Sequence, residues 1–86
     1  MRQPAGTAGA QGRVLWRCRR GMKELDVLLE RYARGGHPQA PVAEQKRFEA
    51  LLELPDPLLA GYFLAGETPS DPALARLIAR IRTYVA

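Results

Sequence analysis

Glycine and proline divide this chain into short segments whose apolar residues recur at helical spacing, and no segment alternates over the length of a strand. The clearest segment runs over residues 22–34. Its apolar residues fall on one face of a helix, namely Met22, Leu25, Leu28, Leu29 and Tyr32. Gly35 and Gly36 follow and supply a helix stop. The pattern therefore predicts an all-α fold.

Short helices are predicted for nearly all of the chain after its first residues. They cover about 13–20, 22–34 and 42–54, a segment that starts at Asp56 and ends at Gly66, and a segment from Asp71 to Val85. Asp56-Pro57 and Asp71-Pro72 each place proline at the first helical position after a good N-cap residue. Residues 1–12 are rich in Gly, Ala and Gln. We predict a flexible tail over 1–12 and a single domain over 13–86, a compact bundle of five short helices.

Side chains suited to catalysis or metal binding are scarce in this chain. It has one histidine, His37 in a predicted mobile loop over residues 35–41, and one cysteine, Cys18, so a zinc site or a catalytic triad cannot be assembled. A chain of 86 residues also has little room for a deep active-site cleft. We expect a non-catalytic protein without a metal. Cys18 follows Val14 by one helical turn, which favours a packed thiol over a reactive one.

The apolar runs are too short for a membrane helix, which needs about 18 residues. Residues 1–12 lack the apolar block of a secretory signal peptide and the spread arginines of a mitochondrial presequence. A single cysteine fits a reducing compartment. We therefore expect no membrane insertion and a location in the bacterial cytoplasm.

Charge is distributed unevenly, although the net charge is only +4. Residues 1–23 carry six cations and no acid, residues 24–71 carry four cations and nine acids, and residues 72–86 carry three arginines. Basic ends that flank an acidic middle favour association with an acidic surface. Nucleic acid, lipid headgroups and protein all remain open as that surface.

Arg20, Gly21 and Glu24 form the pattern Arg-Gly-x-x-Glu. If a helix continues through Gly21, Arg20 and Glu24 simply pair across one turn. However, a glycine inside a helix lowers helix stability by about 1 kcal/mol relative to alanine. The pattern therefore also suits a surface position without a side chain, where a partner approaches the backbone closely. Trp16 either covers the arginine through a cation–π contact or stands exposed as a binding anchor.

Two blocks of sequence resemble the succinate dehydrogenase assembly factor family. The first block reads Trp16-x-Cys18-Arg19-Arg20-Gly21-Met22-x-Glu24-Leu25-Asp26, and the second contains Phe48, Leu51-Leu52-Glu53, Asp56-Pro57 and Leu59. The resemblance extends loosely from Arg13 to Val85. It departs from the family at Tyr62, where many members have tryptophan.

The resemblance implies a five-helix protein that binds the flavoprotein subunit of succinate dehydrogenase, or the related fumarate reductase subunit, and promotes covalent attachment of FAD to it. The family's functional residues correspond here to Arg20, Gly21 and Glu24. We extend the candidate partner-binding set to their neighbours Arg19, Trp16, Met22, Lys23 and Asp26. The FAD would belong to the partner, with a transient contact at most, and this chain would hold no cofactor stably. We expect a monomeric assembly factor or chaperone.

Two other classes of function are compatible with the residues. A basic helical protein can bind nucleic acid, here through Arg13, Arg17, Arg19 and Arg20, although no helix-turn-helix or zinc-finger pattern is present. An antitoxin-like adaptor would use the same surface without affecting flavin attachment. We expect the flavoprotein rather than nucleic acid to be the partner.

Overall fold

The structure is a computed structural model that describes residues 7–85, with side chains from residue 12 onwards. Its α-helices are α1 (Thr7–Arg17), α2 (Lys23–Gly35), α3 (Val42–Leu51), α4 (Asp56–Phe63) and α5 (Pro72–Thr83), and a short 3₁₀ helix covers His37–Gln39. No strand occurs within the described residues. The predicted all-α fold with five short helices is confirmed. None of the helices in this part of the chain is long and apolar enough to span a membrane.

The first helix differs from its predicted bounds at both ends. It begins at Thr7, inside the segment predicted as a flexible tail, and it ends at Arg17 rather than Arg20. Ala and Gln in residues 7–12 have favourable helix propensity, so a helix anchored by a buried Val14 extends back through them. The remaining residues of the predicted tail, 1–6, lie outside the described residues.

The two predicted aspartate caps have different outcomes. Asp71 caps α5 as predicted, because its Oδ1 accepts a hydrogen bond from the backbone N–H of Ala73 at 3.0 Å. The prediction for Asp56 is wrong, since Pro55 occupies the N-cap of α4 and no side chain caps that helix. The Asp56 carboxylate is instead bound by Arg20 at 2.9 Å.

The core of the molecule is built around α2, which contacts α1, the 3₁₀ helix, α4 and α5. Its buried side chains are Leu25, Leu29, Tyr32 and Ala33. The ring of Tyr32 meets Phe48 and Tyr84 edge to face, with centroids 5.1 and 5.8 Å apart. These aromatic contacts join α2 to α3 and to the residues after α5, so the bundle closes around the second helix.

His37 does not lie in a mobile loop, which corrects the sequence prediction. It belongs to the 3₁₀ helix, is buried, and packs against the ring of Phe48 with centroids 5.3 Å apart. Its Nε2 lies 3.4 Å from Oε2 of Glu49. The loop is therefore anchored to α3 by a packed side chain.

Candidate partner-binding surface

Residues 18–22 connect α1 to α2, and we call them the signature loop because they hold the first part of the Arg-Gly-x-x-Glu pattern. The helix does not continue through the loop, because Gly21 has a φ of +84°. A Cβ at this position would meet no atom within 4 Å. Within this chain, glycine is thus required by the left-handed backbone and not by crowding. The space in front of Gly21 is open to solvent.

Asp26 holds the signature loop from the first turns of α2. Its Oδ1 accepts a hydrogen bond from the backbone N–H of Arg20 at 2.8 Å, and its Oδ2 accepts one from Gly21 at 3.2 Å. A carboxylate near the N-terminus of a helix is also favoured by the helix dipole. The contacts of Asp26 in the structure are therefore internal to the loop.

Arg20 is bound within its own chain. Its Nε donates to the carbonyl of Arg17 at 2.9 Å, and its Nη2 donates to the carbonyl of Leu52. Its Nη1 donates to Oδ1 of Asp56 at 2.9 Å and to the carbonyl of Leu54 at 3.5 Å. The side chain is only 15 % exposed. Arg20 thus fastens the signature loop to the turn between α3 and α4 and makes no pair with Glu24. This single side chain also connects the two blocks of sequence that carry the family resemblance.

The remaining candidate residues divide between surface and core. Met22 occupies the N-cap of α2 and packs against the core. Trp16 is 72 % exposed, which matches the anchor alternative and not a cover over Arg20. Lys23 and Glu24 are exposed in the first turn of α2. Arg19 is exposed as well, and its Nε lies 3.4 Å from Oε2 of Glu30.

Two surface depressions border the signature loop. One has a volume of about 300 Å³ and is lined by Trp16, Arg17, Arg19, Arg20, Leu52 and Glu53. The other has a volume of about 560 Å³ and is lined by Lys23, Glu24, Val27, Leu28 and Leu64. The first is polar, whereas the second has three apolar side chains. We call the exposed residues Trp16, Arg19, Gly21, Lys23 and Glu24 the signature surface.

Several lining residues were not predicted from the sequence as part of the site. Val27 and Leu64 are exposed by 46 % and 44 %, on α2 and just after α4. Val27 lies off the apolar stripe that defines the buried face of α2, so its position on the helix was an available signal. Leu64 had no such signal, because only the fold places the end of α4 beside the start of α2.

Cys18 is a packed thiol, as its spacing predicted. It is fully buried, and its Sγ donates to the carbonyl of Val14 at 3.3 Å. Burial raises the pKa of Cys18 to about 12. Because the thiolate is the reactive form, this side chain is inert near neutral pH. No group of three or more His, Cys, Asp or Glu side chains is arranged to hold a metal ion within the described residues.

Comparison with known protein families gives a match over residues 12–85. The matching family model is described as the flavinator of succinate dehydrogenase. The matched range includes all of α2 to α5, the signature loop and most of the residues that border it. The match therefore covers the bundle except for the first turn and a half of α1, and it is not limited to one motif.

Three proteins similar to this chain are each named FAD assembly factor SdhE. The protein of Methylococcus capsulatus is 47 % identical over 75 residues, which are 87 % of this chain and 90 % of that protein. The protein of Shewanella oneidensis is 40 % identical over 86 % of this chain and 90 % of its own length. The protein of Coxiella burnetii is 38 % identical over 85 % of this chain and 89 % of its own length. No solved structure gives a significant match.

Proposed function

Because this chain belongs to the family of flavinators of succinate dehydrogenase, we propose that it is an FAD assembly factor. It binds the flavoprotein subunit of succinate dehydrogenase and promotes covalent attachment of FAD to that subunit. The observation that carries this proposal is the family match over residues 12–85. The signature loop supports it, because its internal bonds leave a bare glycine between exposed charged side chains.

The signature surface binds the partner as a preformed shape. Asp26 and Arg20 hold the loop through six hydrogen bonds. Their partner atoms belong to Arg17, Arg20, Gly21, Leu52, Leu54 and Asp56. Gly21 then lets the partner backbone approach, while Glu24 accepts hydrogen bonds and Trp16 supplies apolar area. A rigid loop loses little conformational entropy on binding, which favours affinity.

The contribution of this protein to flavin attachment is geometric. The electronic chemistry belongs to the FAD held by the partner, and this chain stabilises an arrangement of the partner in which flavin and target side chain are aligned. It acts without catalytic residues of its own, as a monomer in the bacterial cytoplasm, and the fumarate reductase flavoprotein is a second client. Arg20 positions the loop, so any contact with FAD phosphates is made by other cations of the surface.

A nucleic-acid-binding role is less well supported by the contacts. Three of the four arginines predicted for phosphate contacts are occupied within the chain, since Arg17 pairs with Glu53, Arg19 with Glu30 and Arg20 with Asp56. Phosphate contacts would have to displace these acidic partners. The same surface remains suited to a protein partner, which can bind around the ion pairs.

Covalent flavin fluorescence of a cognate flavoprotein subunit in a denaturing gel tests the proposal. We expect more covalent flavin when this protein is present, and loss of that gain with Gly21→Arg or Glu24→Ala. Gly66→Arg is a matched control, because Gly66 has a φ of +77° and open space but lies outside the signature surface. Equal loss with Gly66→Arg would assign the effect to backbone strain. No gain with the unmodified protein would refute the proposed function.

A further inference from the structure

We propose that a cleft between α3 and α5 binds a phosphate group. The cleft has a volume of about 180 Å³ and is lined by Glu44, Arg47, Ala73, Arg76, Leu77 and Arg80. None of these residues belongs to the signature surface. The proposal is therefore independent of the proposed role in flavin attachment.

The charged residues of the cleft face one another from two helices. Glu44 and Arg47 are three residues apart on α3, and Arg76 and Arg80 are four residues apart on α5. Residues at these spacings lie on the same side of a helix. Between them, Ala73 and Leu77 supply short apolar contacts, and Leu77 is buried. The two helices thus direct three guanidinium groups and one carboxylate to a single recess.

The carboxylate of Glu44 is already bound. Arg80 pairs with its Oε1, and the hydroxyl of Tyr32 donates to its Oε2 at 2.5 Å. Arg47 and Arg76 have no hydrogen bond or ion pair to any described residue. Three guanidinium groups therefore share one carboxylate, Glu44, which pairs directly with Arg80 and attracts Arg47. The cleft keeps a net positive charge, which an anion would neutralise.

The chemistry of the recess favours phosphate among anions. A guanidinium group offers a planar fork of N–H donors that binds two phosphate oxygens at once, and several forks can surround one tetrahedral anion. No aromatic side chain lines the recess, so the base of a nucleotide finds no stacking surface there. The recognised unit is thus the phosphate group itself, either as free inorganic phosphate or as part of a nucleotide such as FAD.

Titration of the full chain with sodium phosphate, followed by backbone amide NMR at constant ionic strength, tests the site. We expect saturable shifts at Ala73 and Leu77, and binding about tenfold weaker after Arg76→Gln, which removes one charge-assisted contact. Arg82→Gln is the matched control, because Arg82 is exposed on the same helix but does not line the recess. The amides of α1 and α2 report that each variant stays folded.

Parallel titrations with AMP and FAD distinguish the source of the phosphate. Equal affinity for inorganic phosphate and both nucleotides supports recognition of a free phosphate group, and tighter binding of FAD supports a nucleotide ligand. Two results would overturn the site. One is the absence of saturable shifts with all three probes, and the other is equal weakening by Arg76→Gln and Arg82→Gln, which would indicate diffuse attraction to a basic helix.

Discussion

At the scale of single residues, Arg20 is a bound side chain whose guanidinium group donates to three backbone carbonyls and one carboxylate. Five N–H donors in a rigid fork suit this task, and a lysine ammonium cannot reproduce it. We propose that Arg20 contributes to partner binding indirectly, because it fastens the loop that holds Gly21.

Arg20→Ala is expected to lower the free energy of unfolding by about 2 kcal/mol, because hydrogen bonds to charged groups contribute roughly 1.5–3 kcal/mol and three carbonyls lose their donor. Arg20→Lys should recover less than half of this loss. Urea denaturation measures both, with Arg13→Ala as the control, since Arg13 is exposed on α1 and has no ion pair to a described residue. A loss for Arg20→Ala no larger than that of the control would contradict the structural role.

At the scale of helices, Asp56 and Asp71 show that one sequence signal can have two outcomes. Both precede a proline, and Asp71 caps α5. Asp56 instead binds Arg20, and Pro55 occupies the N-cap of α4. Competition between a local hydrogen bond and a charged partner decides the difference. Both bonds have an ionised acceptor, but only the bond to Arg20 joins two opposite charges.

A double-mutant cycle separates these two roles. Asp71→Ala should cost about 1 kcal/mol, as expected for loss of an N-cap, and its effect should add to that of Arg20→Ala. Asp56→Ala should be coupled to Arg20→Ala by about 0.5–3 kcal/mol, because the two side chains are in contact. Chemical denaturation of the single and double variants gives both coupling energies. If the effects of Asp56→Ala and Arg20→Ala simply add, the ion pair between the two side chains contributes nothing to stability.

At the scale of the whole molecule, Glu44 links three helices. It lies on α3, accepts a hydrogen bond from Tyr32 on α2, and pairs with Arg80 on α5. The hydrogen bond from Arg80, followed by that from Tyr32, lowers the pKa of Glu44 below its usual value of 4.5. Burial of the Tyr32 hydroxyl, followed by its hydrogen bond to Glu44, raises the pKa of Tyr32.

Acid should therefore destabilise the bundle partly through Glu44. Folding lowers this pKa, so the contribution of Glu44 to stability is complete above about pH 4.5 and is lost as the pH falls through the lower, folded value. Glu44→Gln should flatten the fall in melting temperature below pH 4.5. Glu67→Gln is the control, because Glu67 is exposed and has no side-chain ion pair within the described part of the chain. Identical acid profiles for the two variants would refute this role.

Close approach of an aromatic ring makes each glycine of the α2 stop a packing residue, with Gly35 against Tyr84 and Gly36 against Tyr32. A Cβ on Gly36 would collide with the ring of Tyr32, although its φ of −80° suits any residue. Gly36→Ala should destabilise the protein by about 1–3 kcal/mol, as overpacking does. Gly12→Ala should instead stabilise α1 by up to about 1 kcal/mol, because it lies inside a helix with open space around it. Thermal unfolding of both variants should show opposite shifts.

The amino-acid sequence by itself determined the features that depend on neighbours within one or two helical turns. These are the five helices, the cap at Asp71 and the buried face that holds Cys18. Periodicity, capping and backbone freedom are local properties, so they can be derived from spacing alone.

The tertiary structure decided which distant groups meet. The chain has 13 cations and nine acids, and spacing cannot choose among their possible pairs. Arg20 binds Asp56, and Arg80 binds Glu44; the two residues of each pair are 36 positions apart in the sequence. His37 is buried only because α3 folds back over its loop. Such contacts form when packing of the apolar faces brings helices together, and for that reason the shape of the signature surface could be assigned only from the folded bundle.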